Sequence, residues 1–218
     1  MPRKKLIRTT DFPYHVTTRA NNREWFQLPL PEVWSYCLKS LTYAHEKIPV
    51  TFHSFVLMSN HYHLLVSTPN ADLDKFMYFF NKHLADQLRI HSKRINRVFG
   101  GPYSWSLVDS KQYLFHVVRY VFQNPLRKQM VSKVEDYHFS SLFSEIRGEK
   151  FPLEIHSPLD RPHIDGEVLR WLNEIPSLRE NSFIQKGLRK STFALAKDSN
   201  TGKEYQTSSV PGGHMKIH

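Results

Sequence analysis

The order of predicted secondary structure, β-α-β-β-α-β followed by one more helix, predicts an α+β fold with a ferredoxin-like antiparallel sheet. Two observations support this class. Four short segments are rich in β-branched and aromatic residues, and three longer segments repeat apolar residues at spacings of three and four. A chain of 218 residues with a hydrophobic fraction of 40% is long enough for one sizeable domain and an appendage.

The first elements are marked by the residues that interrupt them. A basic arm at 1–10 precedes a strand at 14–19, which Asn21-Asn22-Arg23 ends. Prolines then introduce a helix, and Pro49 closes it. The apolar face of this helix comprises Val33, Tyr36, Cys37, Leu41 and Ala44. Strands at 51–57 and 61–67 follow, joined at Ser59-Asn60.

The later elements are a long helix, a strand and the extra helix. Apolar residues from Leu73 to Leu88 define an amphipathic helix with a basic opposite face. The loop Gly100-Gly101-Pro102 leads to a strand at 103–108, and a helix is predicted at 112–123. The resulting domain covers residues 1–145. Residues 146–218 are predicted to be a linker, short helices at 165–172 and 189–197, and a disordered basic tail.

Charge and cysteine content restrict the function. A net charge of +10 and a pI of about 9.7 point to a polyanionic partner, with nucleic acid ahead of an anionic membrane surface. No apolar stretch reaches the roughly 18 residues of a membrane span, and the basic N-terminus lacks the apolar segment of a secretory signal. The single Cys37 excludes an intramolecular disulfide and a multi-cysteine zinc site, and it suits a reducing cytoplasm.

The most informative motif is a histidine pair in Leu57-Met-Ser-Asn-His-Tyr-His-Leu-Leu-Val66. In a strand, residues i and i+2 face the same side, so His61 and His63 project together. Two imidazoles held in this way can bind one divalent metal ion. The alternative is two polar residues on a solvent-facing strand. The predicted central position of the strand favours a site, because buried polar groups need partners.

A second candidate group lies on the extra helix. Tyr120 and Asn124 are four residues apart and therefore neighbours on a helix surface, although Pro125 disfavours helical geometry at Asn124. Tyr120 could attack a DNA phosphate, and Asn124 could add an amide oxygen to the metal. A tyrosine hydroxyl needs activation, and a divalent metal can neutralise the charge of the phosphate. Tyr103, Tyr113 and Tyr137 remain rival nucleophiles on composition alone.

These segments resemble the HUH single-strand transposases of the IS200-like class, and most closely the REP-associated tyrosine transposases. The resemblance rests on four segments in family order across roughly residues 10–145: Pro13–Arg23, Leu57–Val66, Ser106–Ser110 and Arg119–Arg127. One segment departs from the family pattern. Val98-Phe-Gly-Gly-Pro-Tyr-Ser-Trp105 replaces the Gly-His-Leu-Trp-Gln-Gly-Arg-Phe type of sequence before the fourth strand.

The resemblance implies a mechanism and its residues. His61, His63 and Asn124 would bind Mg²⁺ or Mn²⁺, and Tyr120 would cleave single-stranded DNA beside a hairpin. The products would be a 5′-phosphotyrosine and a free 3′-OH, as in DNA transposition and recombination. The protein would act in the cytoplasm, on the nucleoid, as a monomer or homodimer.

We also expect a DNA-binding groove. Basic and polar side chains would contact phosphates, and an aromatic ring would stack on a base. The candidates are Arg19, Asn22, Arg23, Lys82, Arg89, Trp105, Arg119 and Arg127. Two other functions remain open: a non-catalytic hairpin-binding module of the same fold, and a hydrolase that uses water in place of tyrosine.

Overall fold

A single antiparallel sheet organises the molecule. The computed structural model describes residues 4–159, 164 and 166–195. The strands are β1 (Tyr14–Arg19), β2 (Thr51–Leu57), β3 (His61–Ser67) and β4 (Ser104–Leu107), in the spatial order β2-β3-β1-β4. All adjacent strands are antiparallel. This arrangement confirms the predicted ferredoxin-like order and the central position of β3.

Two helices cover one face of the sheet. They are α1 (Leu30–Lys47) and α2 (Leu73–Ser92), which follow β1 and β3 in the chain. Alternate strand residues such as Tyr14, Val16, Tyr62 and Leu64 point into this first core and are fully buried. Cys37 on α1 is buried there as well, as the sequence predicted. The remaining strand positions, including both histidines of the pair, face the other side of the sheet.

The other face of the sheet packs against a second core. Its helices are α3 (Lys111–Phe122), α4 (Asn124–Arg127), α5 (Ser141–Arg147), α6 (Gly166–Asn173) and α7 (Leu178–Gly187). Helices therefore pack on both faces of the sheet. Helix α3 lies between the sheet and the C-terminal helices, so the polar His116, and Gln123 just after the helix, are as buried as its valines.

The segment after residue 145 takes part in this second core. Helix α6 agrees with the helix predicted at 165–172, whereas α7 was not predicted. Residues 189–195 form no helix, which corrects the one predicted at 189–197; instead the chain pairs with the edge of β4. The boundary after residue 145 stays a prediction, and the tail from residue 198 lies outside the described residues. No helix in the described ranges has the length and hydropathy needed to cross a bilayer.

Candidate active site

The histidine pair lies on β3 opposite β1. His61 pairs across the ladder with Arg19, and His63 pairs with Thr17. The rings of His61 and His63 are 5.0 Å apart between centroids. Both side chains are nearly inaccessible, at 8% and 5% exposure. The alternation of the strand thus brings the two imidazoles to one buried spot, as the i, i+2 spacing predicted.

Asn60 fixes the ring orientation of His61. The Asn60 amide nitrogen donates to the carbonyl oxygen of Arg23 at 2.7 Å, so its oxygen turns toward His61. His61 Nδ1 lies 2.7 Å from that oxygen. Because an amide oxygen can only accept, His61 Nδ1 carries the proton. The lone pair on Nε2 is then available to a ligand.

His15 on β1 plays the same part for His63. His15 Nε2 and His63 Nδ1 are 2.9 Å apart, and the two rings stack at 5.2 Å. His63 Nε2 is buried and has no hydrogen-bond partner among the described residues. A buried polar atom without a partner requires an explanation. A cation at Nε2, with Nδ1–H donating to His15, would satisfy both nitrogens.

Burial keeps the three imidazoles neutral. Desolvation lowers the pKa of His15 to about 3 and the pKa of His61 to about 4, where the charges of Arg19 and Lys128 contribute as well. Desolvation also lowers the pKa of His63 well below its ordinary value, assisted by its histidine neighbours. Neutral imidazole is the metal-binding form. At neutral pH the pair is therefore in the protonation state that a metal ion would require.

Tyr120 comes from α3 and meets the histidines edge-on. Its ring centroid is 5.6 Å from that of His63 and 6.1 Å from that of His15. The Arg127 guanidinium stacks 4.2 Å from the tyrosine ring and donates to the Tyr120 carbonyl oxygen at 2.8 Å. Burial raises the Tyr120 pKa, while Arg127, Arg19 and Arg189 oppose that rise. The hydroxyl is thus protonated at neutral pH and needs activation to act as a nucleophile.

The position of Asn124 follows from the proline after it. Pro125 has no N–H, so the carbonyl oxygen of Val121 loses its usual helical donor. The Asn124 amide nitrogen takes that place, donating to Val121 at 3.2 Å and to Tyr120 at 2.9 Å. Helix α3 ends at Phe122, and α4 begins at Asn124. Within the described residues the Asn124 side-chain oxygen has no hydrogen-bond partner and remains available to a ligand.

These groups line a single open cleft of about 980 Å³. Besides the histidines, Tyr120 and Asn124, the lining includes Arg19, Asn22 and Arg23, which were expected at a DNA groove. The loop Gly100-Gly101-Pro102 forms part of the wall. None of the described residues that line the cleft is acidic. A basic cleft without carboxylates suits a phosphate-bearing ligand.

Three of the expected DNA contacts lie on the opposite side of the sheet. Lys82 and Arg89 belong to α2; Lys82 lies over the Tyr78 ring at 5.7 Å, and Arg89 pairs with Asp86 at 3.0 Å. Trp105 alternates with cleft-lining Ser104 on β4, so its ring points into the first core, 6.2 Å from Tyr14. The expectation of one groove containing all of them is corrected, because strand alternation and the packing of α2 separate them from the histidines.

Arg119 is also absent from the cleft. It precedes Tyr120, and successive helical residues point about 100° apart. Its guanidinium lies 4.9 Å from the Trp171 ring and donates to the Glu174 carboxylate at 3.1 Å. At 3% exposure it links α3 to α6. The expected DNA contact of Arg119 is corrected to a bond between helices.

Sequence reasoning missed several residues of the site. His15 and Asn60 support the pair, and Lys4, Lys128 and Arg189 add positive charge to the cleft wall. Asn60 had a local indication, since it directly precedes His61. Nothing in the sequence connected His15 or Arg189 to the pair, because both come from other elements.

The donor atoms fit an open metal site. The described residues contain no group of three or more His, Cys, Asp or Glu arranged around a metal position. Two imidazole Nε2 atoms and one amide oxygen leave positions for phosphate oxygens and water, unlike a closed structural site. The orphaned Nε2 of His63 is the observation that supports this fit.

Fold and cleft together define a class: proteins with a ferredoxin-like sheet that presents a histidine pair to a helix tyrosine in a basic cleft. The model of one known family, transposase IS200 like, matches residues 8–124, which is more than half of the chain. The chain belongs to the IS200-like transposase family. The matched region contains the histidine pair, Tyr120 and Asn124.

One solved structure agrees with the fold. A REP-associated tyrosine transposase, solved bound to a REP hairpin, is similar with a TM-score of 0.55 and 17% identity, over 69% of this chain and 88% of that one. A transposase candidate from Deinococcus radiodurans R1 has a TM-score of 0.39 and 16% identity, over 56% and 94% of the two chains. No curated protein matches the chain.

Proposed function

We propose that this transposase is a metal-dependent endonuclease and strand transferase for single-stranded DNA, with Tyr120 as nucleophile. One observation is central: a tyrosine ring meets a neutral histidine pair in a basic cleft. Family membership supports a transposase role.

His61 Nε2, His63 Nε2 and the Asn124 side-chain oxygen would hold Mg²⁺ or Mn²⁺. When bound, such an ion supplies charge neutralisation and orientation of the scissile phosphate. His15 and Asn60 would hold the two rings in place through their Nδ1 atoms, leaving each Nε2 to the ion.

Tyr120 then forms a bond from its Oη to the phosphorus, and the bond from phosphorus to the 3′-oxygen breaks. The phenolic proton passes to water, and the departing 3′-oxygen takes up a proton to become a free 3′-OH. The 5′ end stays on the protein as a phosphotyrosine, so the bond energy is conserved for rejoining. Arg127, stacked on the ring, restricts the tyrosine to the orientation facing the pair.

We further propose that Arg19, Asn22, Arg23 and Arg127 contact the DNA backbone. All but Arg127 line the cleft. The similar transposase was solved with a REP hairpin, and we propose a hairpin-bearing single strand as substrate here, met at the cytoplasmic nucleoid. The protein would act as a monomer or homodimer. The catalytic domain would comprise residues 1–145, with residues 146–218 as its C-terminal extension.

The test is covalent capture. Labelled hairpin-bearing single strands from the flanks of the protein's own gene are incubated with the protein, with and without Mn²⁺, and resolved on a denaturing gel. We expect a Mn²⁺-dependent protein–DNA adduct that Tyr120→Phe abolishes while hairpin binding persists. The matched control is Tyr113→Phe on the same helix, whose ring packs against Phe193 in the second core, away from the pair.

Two outcomes would contradict the proposal. Metal-dependent cleavage without an adduct would indicate a hydrolase that uses water. Tight hairpin binding without cleavage, across all flanking strands and both metals, would indicate the non-catalytic binding module.

A further inference from the structure

The C-terminal segment reaches the cleft. Gln185, Leu188 and Arg189 line it together with the histidine pair, Tyr120 and Asn124. Gln185 lies in the last turn of α7, and Leu188 and Arg189 directly follow the helix. All three lie well beyond residue 124, where the family match stops. The cleft wall therefore includes a part of the chain that the family model does not cover.

Backbone contacts anchor this segment. The amide of Leu107 on β4 donates to Ser191 at 2.9 Å, and the amide of Phe193 donates to Leu107 at 2.7 Å. The Phe193 ring is fully buried in the second core. A Cβ on Gly187 would lie only 2.8 Å from both the Phe193 ring and the Ala194 carbonyl oxygen, so the turn closes tightly. The backbone at Arg189 is thus held from both sides.

The charge of Arg189 is available to a ligand. Its side chain is exposed, and the described residues give it no hydrogen bond or ion pair. Arg119, by contrast, pairs with Glu174 outside the cleft lining. The charge of Arg189 also opposes the burial-driven rise of the Tyr120 pKa, which places it within electrostatic range of the phenol.

We infer that Arg189 is a phosphate-binding residue of the active site, contacting the scissile phosphodiester that Tyr120 attacks. The inference rests on the proposed function. A guanidinium offers paired N–H donors that match two phosphate oxygens. Charge accumulates on those oxygens as the Tyr120 bond forms, so the contact strengthens in the transition state. The extension after residue 145 thereby supplies a functional group to the catalytic cleft.

The test separates binding from chemistry. In the Tyr120→Phe background, affinity is measured for single strands that carry one neutral methylphosphonate, moved along the strand one linkage at a time. Arg189→Ala is compared with Lys186→Ala, which removes the same charge from an exposed residue of α7 outside the cleft lining. In parallel, the rate of adduct formation is measured for the same substitutions in protein that retains Tyr120.

We expect Arg189→Ala to weaken binding to unmodified DNA and to lower the salt slope of log K by about 0.7, the value for one phosphate on a single strand. The loss should vanish when the methylphosphonate sits at the cleaved linkage. The adduct rate should fall about 10²-fold, with partial rescue in Arg189→Lys.

A loss equal to that of Lys186→Ala, or one spread over all linkages, would overturn the assignment of Arg189. Failure of the proposed function looks different. If the Arg189 effect maps to one linkage but no adduct forms with either metal, phosphate binding stands and the tyrosine chemistry falls.

Discussion

Each histidine of the pair depends on one supporting residue. Asn60 determines the tautomer of His61, and His15 is hydrogen-bonded to Nδ1 of His63. Such partners commonly change metal affinity by 10–100-fold when removed, because they orient the ring and raise its basicity. We therefore expect substitutions of His15 and Asn60 to weaken metal binding although neither residue is a proposed ligand.

The first prediction concerns His15. His15→Leu should weaken Mn²⁺ binding by about 10–100-fold, since the His63 ring loses the partner of its Nδ1. Mn²⁺ titration followed by electron paramagnetic resonance measures the change. Tyr120→Phe serves as control, because it removes a hydroxyl from the same cleft without touching either ring nitrogen. Equal Mn²⁺ affinity in His15→Leu and the unmodified protein would show that His15 does not support the site.

The second prediction separates the two roles of Asn124. Asn124→Asp keeps a side-chain oxygen for the metal but loses the donor that satisfies Val121. We expect Mn²⁺ affinity to be retained while the free energy of unfolding falls by about 1–3 kcal/mol, the cost of an unsatisfied buried carbonyl. Asn124→Ala should lower both the Mn²⁺ affinity and the free energy of unfolding. Urea denaturation and Mn²⁺ titration of the two variants decide the matter; loss of Mn²⁺ binding in Asn124→Asp would contradict a ligand role for the oxygen.

At the scale of elements, the C-terminal segment is an integral part of the second core. Helices α6 and α7 bury Val168, Trp171, Leu172 and Ile184 against α3, and the following strand-like residues pair with β4. This packing explains why α3, which has a polar side on a helical wheel, is buried nearly all round.

The third prediction tests that packing. Phe193→Ala should lower the free energy of unfolding by about 3–5 kcal/mol, because it leaves a cavity in a fully buried site. The control is Leu178→Ala, a similar truncation at a residue of α7 that is 90% exposed, which should change stability by less than about 0.5 kcal/mol. Urea unfolding monitored by circular dichroism gives both values. Similar small losses in the two variants would mean that the segment is not cooperative with the rest of the fold.

At the scale of the whole molecule, buried neutral histidines tie stability to pH. Burial lowers the pKa of His15 to about 3 and the pKa values of His61 and His116 to about 4, against an ordinary 6.5. The unfolded chain therefore binds more protons than the folded chain below pH 6.5. Stability is complete above that pH and is lost as the pH falls toward 4.

The fourth prediction follows from this loss of stability at low pH. The free energy of unfolding should decrease between pH 6.5 and pH 4.5 with a slope of up to about 1.4 kcal/mol per pH unit for each such histidine. Urea denaturation at pH 7.5, 6.5, 5.5 and 4.5 measures the slope. His116→Gln should lower this slope by up to about 1.4 kcal/mol per pH unit, because glutamine does not titrate. His116 lies outside the cleft, so the substitution leaves the histidine pair in place. A slope that is flat over this range would contradict the burial of neutral imidazoles.

Much of the molecule follows from local pattern. The strand composition, the apolar spacing of the helices and the turn residues predicted all four strands and the first three helices, because these features repeat within a single element. The i, i+2 histidines and the i, i+4 pair of Tyr120 and Asn124 could be named for the same reason. Lys82, Arg89, Trp105 and Arg119 were assigned to the groove on charge or ring type, which does not specify a direction.

Sequence by itself thus determined the order of the elements, the shared face of His61 and His63, and the family resemblance. Tertiary structure decided which groups meet. The pairing of β1 with β3 brings His15 next to His63, and the pairing at β4 brings Arg189 to the cleft. Because α3 packs between the sheet and α6, Arg119 contacts Glu174 and does not reach the cleft. The physical reason is that periodicity orients a side chain relative to its own element, whereas contacts between elements depend on which surfaces bury each other.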